Sequence, residues 1–175
     1  MEFKFVLPIV ISFGISVILC PIVIPFLQKL KFGQQVREEG PQAHLKKAGT
    51  PTMGGLIILV SVLLTSLYYV KDYPMTIPIM FMTLGFGLVG FLDDYIKVVM
   101  KQSMGLRPLQ KMFGQLVISI IFIVYILQYT DIGTEIILPF TNSQMITLPV
   151  WLYVVMAIIA IIGTVNGVNF TDGLD

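Results

Sequence analysis

The sequence has 175 residues, of which 56% are hydrophobic and 12% charged, against roughly 25% charged in an average soluble domain. These figures exclude an ordinary water-soluble domain and a disordered chain, and a formal net charge of +1 gives no global basic field, so we expect no nucleic-acid partner. A single cysteine excludes an intramolecular disulfide framework and a cysteine-based zinc cluster. We therefore predict that the lipid bilayer is the main solvent of this protein.

Five stretches without charged residues predict membrane-spanning helices, since a spanning helix needs about 20 mostly apolar residues. In chain order these predicted helices occupy about residues 5–28, 54–70, 76–92, 112–129 and 148–166. Between the last two, Pro139 and the polar run 141–144 predict a turn or short hairpin. The predicted fold is all-α, a polytopic membrane protein with one membrane domain over residues 1–175.

The distribution of lysine and arginine predicts the orientation of these helices. Nine of the eleven basic residues fall in the segments 29–53 and 93–111, while only Lys4 and Lys71 lie on the opposite side. Because cytoplasmic loops carry an excess of basic residues, the N-terminus is predicted outside. The loops 29–53, 93–111 and 167–175 are then cytoplasmic.

Four acidic residues, Asp93, Asp94, Asp172 and Asp175, lie at predicted helix ends on this cytoplasmic side. They either mark helix ends only, or form a site for a hard cation such as magnesium, which takes carboxylates together with substrate phosphates. Asp93 and Asp94 point about 100° apart on a helix, so one is expected to bind metal while the other handles a proton or orients a lysine. If the last segment is helical, Asn169, Asp172 and Asp175 share one face.

Basic and glycine-rich segments on the same side indicate phosphate chemistry. Lys46, Lys47 and Lys111 are explained either by the bias of basic residues toward the cytoplasm or by phosphate binding as point charges. The segment 49–55, Gly-Thr-Pro-Thr-Met-Gly-Gly, opens the second predicted helix, where glycines permit close backbone approach and a helix N-terminus attracts anions. Together with the acids, these features suggest phosphate chemistry on a lipid-linked substrate.

Three segments resemble motifs of the bacterial phospho-N-acetylmuramoyl-pentapeptide transferases, within the polyprenyl-phosphate sugar-1-phosphate transferase superfamily. They are the run from Arg37 to Gly55, the run from Gly85 to Lys97 with its paired aspartates, and Asn169-Phe-Thr-Asp-Gly-Leu-Asp175. The resemblance extends from Met1 to Asp175. It implies transfer of phospho-N-acetylmuramoyl-pentapeptide from its UDP carrier to undecaprenyl phosphate, giving lipid I and UMP, with Mg²⁺ as cofactor, in the bacterial inner membrane with the site facing the cytoplasm.

The resemblance also implies roles for individual residues. Asp93 and Asp94 match the paired aspartates, one of which is proposed to deprotonate the lipid phosphate, and Asp172 joins them as a catalytic and metal-binding candidate. Candidates for substrate and phosphate binding are Lys47, Thr52, Lys111, Asn169 and Asp175. Family members are often dimers, so a homodimer is among the implied partners.

The resemblance covers about half of a fold of roughly ten helices, each long enough for a bilayer. We therefore expect this chain to be an N-terminal fragment that lacks a further metal-binding aspartate and a histidine-rich loop. Alternative interpretations are a related polyprenyl-phosphate N-acetylglucosamine-1-phosphate transferase, half of a transporter or channel, and an inactive membrane remnant or assembly module. The transporter interpretation would place acids near the bilayer midplane rather than at helix ends.

Overall fold

A computed structural model describes residues 3–29, 53–100, 102, 105–138, 141 and 144–172. Five α-helices dominate this part of the chain, as predicted for an all-α protein. They are α1 (Phe3–Lys29), α2 (Gly55–Tyr69), α3 (Thr76–Val98), α4 (Pro108–Tyr129) and α5 (Val150–Asp172). The short strands β1 (Glu135–Ile137) and β2 (Met145–Thr147) lie between α4 and α5.

The helices have the length and burial pattern of a multi-pass membrane protein. All but α2 are long and apolar enough to cross a bilayer, whereas the 15 residues of α2 extend about 22 Å. Large apolar side chains such as Ile9, Phe13 and Phe113 are exposed, while the most completely buried side chains are the polar Gln115, Ser61 and Ser119. This pattern reverses that of a soluble protein, because lipid solvates apolar surface and polar groups must be satisfied inside.

The predicted turn between the last two helices is a β-hairpin. β1 and β2 pair antiparallel, with Ile136 opposite Ile146. The pairing continues toward the helices, where the Leu148 backbone N–H donates to the Thr134 carbonyl at 3.0 Å and the Thr134 hydroxyl donates to the Leu148 carbonyl at 2.7 Å. These bonds hold the end of α4 and the start of α5 near each other.

Three helix ends differ by four or more residues from the prediction from charge. α3 continues past residue 92 to Val98, α4 begins at Pro108 rather than 112, and α5 continues past 166 to Asp172. Charge-free intervals mark what lipid tolerates, but a helix in water continues as long as its backbone bonds and side-chain pairs support it. Residues 93–98 are therefore helical rather than part of a loop.

The chain divides into two compact units, Met1–Pro108 and Leu109–Asp175. In the first unit, the Ser16 hydroxyl of α1 donates to the Ser61 hydroxyl of α2 at 2.9 Å. α3 packs on α2 at Gly87, where a Cβ atom would lie 2.8 Å from a methyl carbon of Leu59. Small residues therefore allow close approach of the helices in this unit, as is typical of membrane helices.

Candidate active site

The Asp93 carboxylate is buried in the first unit and connects the end of α3 to the segment that follows it. Its Oδ2 accepts from the Lys97 Nζ at 2.7 Å, one helical turn later. Its Oδ1 accepts from the backbone N–H of Leu106 at 2.8 Å. The Asp93 side chain is 11% exposed, so both oxygens are engaged with little access to solvent. We call this arrangement of Asp93, Lys97 and Leu106 the Asp93 clasp.

The clasp explains why α3 extends beyond its predicted end. Two adjacent acids at a helix C-terminus oppose the helix dipole, which favours cations there. In the structure Asp93 lies more than one turn before the end, and Lys97 occupies the last turn and pairs with it. The i,i+4 ion pair and the cation in the last turn both favour continuation of the helix.

Gly105 gives the backbone conformation that the clasp requires. Its φ of +62° lies in the left-handed region that favours glycine. A Cβ atom at this position would collide with Oδ1 of Asp93 and lie 2.6 Å from Cε of Lys97. The clasp therefore depends on a residue without a side chain directly before Leu106.

We expect Gly105→Ala to lower the free energy of unfolding by about 1–2 kcal/mol, because alanine pays the left-handed penalty and its methyl group displaces the Asp93 carboxylate. Thermal unfolding in detergent micelles would measure the effect. Gly133→Ala is the matched control, since a Cβ atom at Gly133 meets no other atom within 4 Å. Equal melting temperatures for the two variants would contradict the role assigned to Gly105.

Asp94 has a different environment from Asp93. It is half-buried and lies on the same helix, about 100° around the axis. In the part of the chain that the structure describes, no three His, Cys, Asp or Glu side chains are grouped closely enough to hold a metal together. Magnesium commonly takes one or two carboxylates and completes its shell with substrate phosphates and water. Asp93 is less suited to such a site, because both of its oxygens already accept from Lys97 and Leu106.

The start of α2 has an unexpected conformation. In the segment 49–55, the left-handed residue is not a glycine: Met53 has a φ of +68°, whereas Gly54 is right-handed at −57°. A left-handed, buried methionine is rare and costs of order 1–3 kcal/mol. The candidates Lys47 and Thr52 precede this point and lie outside the described residues.

The remaining candidates lie in the second unit. Lys111 is half-buried in the first turns of α4, Asn169 is exposed near the end of α5, and Asp172 is the last residue of α5. Asn169 and Asp172 both belong to α5, while Asp175 lies outside the described residues. A hydrogen bond at 2.8 Å from the Asn166 Nδ2 to the Gln115 Oε1 joins the two helices near Lys111 and Asn169.

A cavity of about 690 Å³ in the second unit lies away from these candidates. It is lined by residues of the hairpin region and the adjacent helix ends, among them Leu127, Asp131, Val150 and Val154. Lys111 and Asn169 are at the other ends of α4 and α5. The size of this cavity therefore does not identify it as the site.

Sequence reasoning did not single out Gly105, Leu106, Gln115 or Asn166. Gly105 and Leu106 acquire a role only through the path of the backbone after α3. Gln115 and Asn166 did carry a signal, since amide side chains within apolar helices are costly unless they are paired. That signal is visible in the sequence, where the amides within the predicted membrane spans are Gln28, Gln115, Gln128 and Asn166.

Comparison with known proteins gives two family matches. The family described as glycosyl transferase family 4 matches residues 75–175. The pattern described as phospho-N-acetylmuramoyl-pentapeptide-transferase signature 1 matches residues 47–59. The first match contains the Asp93 clasp and all candidates of the second unit, and the second contains Lys47, Thr52 and the start of α2.

Curated relatives carry the name phospho-N-acetylmuramoyl-pentapeptide-transferase. The relative from Bacillus subtilis (strain 168) is 46% identical over 171 residues, which cover 95% of this chain and 52% of the relative. The relative from Caldicellulosiruptor bescii is 50% identical, with 97% and 52% covered. The relative from Geobacillus sp. (strain WCH70) is 48% identical, with 100% and 54% covered. The chain spans about half the length of these relatives.

Proposed function

Because this chain belongs to glycosyl transferase family 4, we propose that it is part of an enzyme that transfers phospho-N-acetylmuramoyl-pentapeptide from UDP to undecaprenyl phosphate. The products are lipid I and UMP. The observation that carries the proposal is the identity of 46% to 50% with relatives of that name along almost the whole chain. The match at residues 47–59 favours this substrate over N-acetylglucosamine-1-phosphate, because that signature is the one named for the pentapeptide transferases.

The two aspartates have separate tasks in this proposal. Asp93 holds Lys97 and the Leu106 backbone in place through the clasp, so it shapes the site rather than contacting the reacting atoms. Asp94 is the residue of the pair that would hold Mg²⁺ together with the substrate. When bound, the cation would supply charge neutralisation, which is a main requirement of phosphoryl transfer.

The basic and amide candidates contact substrate phosphates in this proposal. Lys111 and Lys47 act as point charges for phosphate oxygens, and Thr52 and Asn169 add hydrogen bonds. Asp172 and Asp175 are the candidates for the nucleotide side of the substrate. The acceptor phosphate is already an anion at neutral pH, so orientation and charge neutralisation account for more of the catalysis than proton removal.

The proposed location is the bacterial inner membrane, with the N-terminus outside and the site at the cytoplasmic face. Support for this orientation comes from the nine of eleven basic residues that the sequence places on one side. The nucleotide-linked donor is a charged, soluble molecule, so it must approach from the aqueous compartment where it is made. The lipid phosphate approaches within the membrane.

An assay of lipid I formation tests the proposal directly. Purified full-length protein in detergent is given UDP-N-acetylmuramoyl-pentapeptide and undecaprenyl phosphate, with Mg²⁺ or with excess EDTA. We expect lipid I and UMP in equal amounts with Mg²⁺ and none with EDTA. Product from UDP-N-acetylglucosamine instead would replace this proposal with the related transferase.

A further inference from the structure

The amide pair between Gln115 and Asn166 is the basis of this inference. The Asn166 Nδ2 donates to the Gln115 Oε1 at 2.8 Å and to its own helix at the Ile162 carbonyl, also at 2.8 Å. In return the Gln115 Nε2 approaches the Asn166 Oδ1 at 3.5 Å. Gln115 is 1% exposed. A buried amide is costly without a partner, so each residue constrains where the other lies.

The two helices joined by this pair run antiparallel. The hairpin holds the end of α4 at Tyr129 near the start of α5 at Val150. Gln115 lies about 21 Å back along α4 from that end, and Asn166 lies about 24 Å forward along α5. Gln115 and Asn166 lie at nearly equal distances from the hairpin and contact each other, so α4 and α5 must run in opposite directions.

The position of Lys111 and Asn169 follows from this arrangement and from helical geometry. Lys111 precedes Gln115 by four residues and Asn169 follows Asn166 by three, so both are displaced toward the same end of the pair, by about 6 Å and 4.5 Å. Around their axes they are rotated by about 40° and 60° from the amides that face each other. Because the helices are right-handed and antiparallel, both rotations lead to the same side of the helix pair.

The sequence of α5 gives its rotation little preference. Its residues from Val150 to Val165 are apolar on all sides, apart from the polar atoms of Trp151, Tyr153 and Thr164, so lipid does not strongly favour one face over another. Polar contacts supply rotational specificity between apolar membrane helices. In the described part of α5, Asn166 makes such a contact close to Asn169.

We propose that Gln115 and Asn166 are positioning residues that hold the Lys111 ammonium and the Asn169 amide on one side of the α4–α5 pair, at nearly equal depth, as a joint binding site for phosphate oxygens. This inference rests on the proposed function for the identity of the ligand. The rotation of α4 and α5 about their axes does not depend on which ligand binds. The two amides contact each other and act on the substrate only through Lys111 and Asn169.

The rotation is tested by cross-linking in full-length protein with Cys20→Ser as background. Lys111→Cys and Asn169→Cys are introduced together and joined with a short bifunctional maleimide. We expect Gln115→Leu to reduce the cross-linking rate at least fivefold. Ser119→Ala is the matched control, because Ser119 is equally buried on the same face but donates only to its own helix at the Gln115 carbonyl. An unchanged rate in Gln115→Leu would overturn the inference.

The functional consequence is tested by binding of UMP and by steady-state kinetics, in variants that retain Lys111 and Asn169. We expect Gln115→Leu and Asn166→Leu each to weaken UMP binding and raise the KM for the nucleotide substrate about tenfold, with a smaller change in kcat, because a displaced contact of about 1 Å is enough for such losses. The exchanged pair Gln115→Asn with Asn166→Gln keeps the combined side-chain length and should recover binding to within about threefold. Failure of the exchange to recover binding would contradict a positioning role.

The two tests separate this inference from the proposed function. If wild-type protein forms no lipid I but cross-linking depends on the amide pair, the proposed function fails and the positioning role stands. If lipid I is formed and neither cross-linking nor KM responds to Gln115→Leu, the inference fails and the proposed function stands.

Discussion

Asp94→Asn is expected to abolish lipid I formation, with a fall in kcat of about 10³-fold, while the protein folds normally. Asparagine has nearly the same shape as aspartate but lacks the negative charge that a hard cation requires. Losses of 10²–10³-fold are typical when a single electrostatic contact to the transition state is removed. The measurement is the initial rate of lipid I formation at saturating Mg²⁺, together with the melting temperature in detergent.

Asp72→Asn is the control for this prediction. Asp72 is exposed in the connection between α2 and α3. It is distant along the sequence from the candidate residues of its unit. The same loss of charge there should leave the rate within about twofold of wild type, as is usual for surface substitutions away from a site. Wild-type turnover by Asp94→Asn would remove Asp94 from the proposed mechanism.

Asp93→Ala is expected to lower the free energy of unfolding as well as the rate of lipid I formation. Loss of the clasp removes the acceptor for the Leu106 N–H and the partner of Lys97, and hydrogen bonds to charged groups contribute about 1.5–3 kcal/mol. The Lys97 side chain is 41% exposed, so its ion pair contributes the smaller part. We expect a loss of about 2 kcal/mol in the free energy of unfolding.

Asp93→Asn separates the two bonds of the clasp. An amide oxygen still accepts from the Leu106 N–H, whereas the ion pair with Lys97 is lost, so about half of the stability should be retained. Unfolding curves of both variants and of the control Asp72→Asn, measured in increasing concentrations of a denaturing detergent, test this order of stability. If Asp93→Ala unfolds like Asp72→Asn, the clasp does not stabilise the fold.

The contrast between these neighbours shows where prediction from sequence was effective. The adjacent acids after an apolar span were recognisable as candidates, and helical geometry required that they differ. The second contact of Asp93 depended on the Leu106 N–H, 13 residues away, and on the left-handed backbone at Gly105. Neither is encoded in hydropathy, because both arise from the path the chain takes after α3.

The helices themselves were predicted from the sequence, but some of their ends were not. Long charge-free stretches predicted five helices, and the structure has five in the part of the chain it describes. Helix ends differed from the prediction where an ion pair favours continuation of the helix beyond charged residues, as at Lys97. They also differed where proline begins a helix, as at Pro108. The hairpin after α4 was predicted from Pro139 and its polar neighbours, and its strands are paired as expected.

The sequence by itself determined that the protein lies in a membrane, which motifs it carries and that the part of the chain described by the structure has five helices. It also supplied the candidate residues for phosphate chemistry, which stay predictions. These properties depend on composition and on residues close together in the chain, so they are readable without a structure. Only the tertiary structure decided that Asp93 is engaged in a clasp and that Gln115 meets Asn166 across 51 residues. Such contacts depend on how apolar helices rotate and approach, which lipid leaves open and which a few buried polar pairs determine.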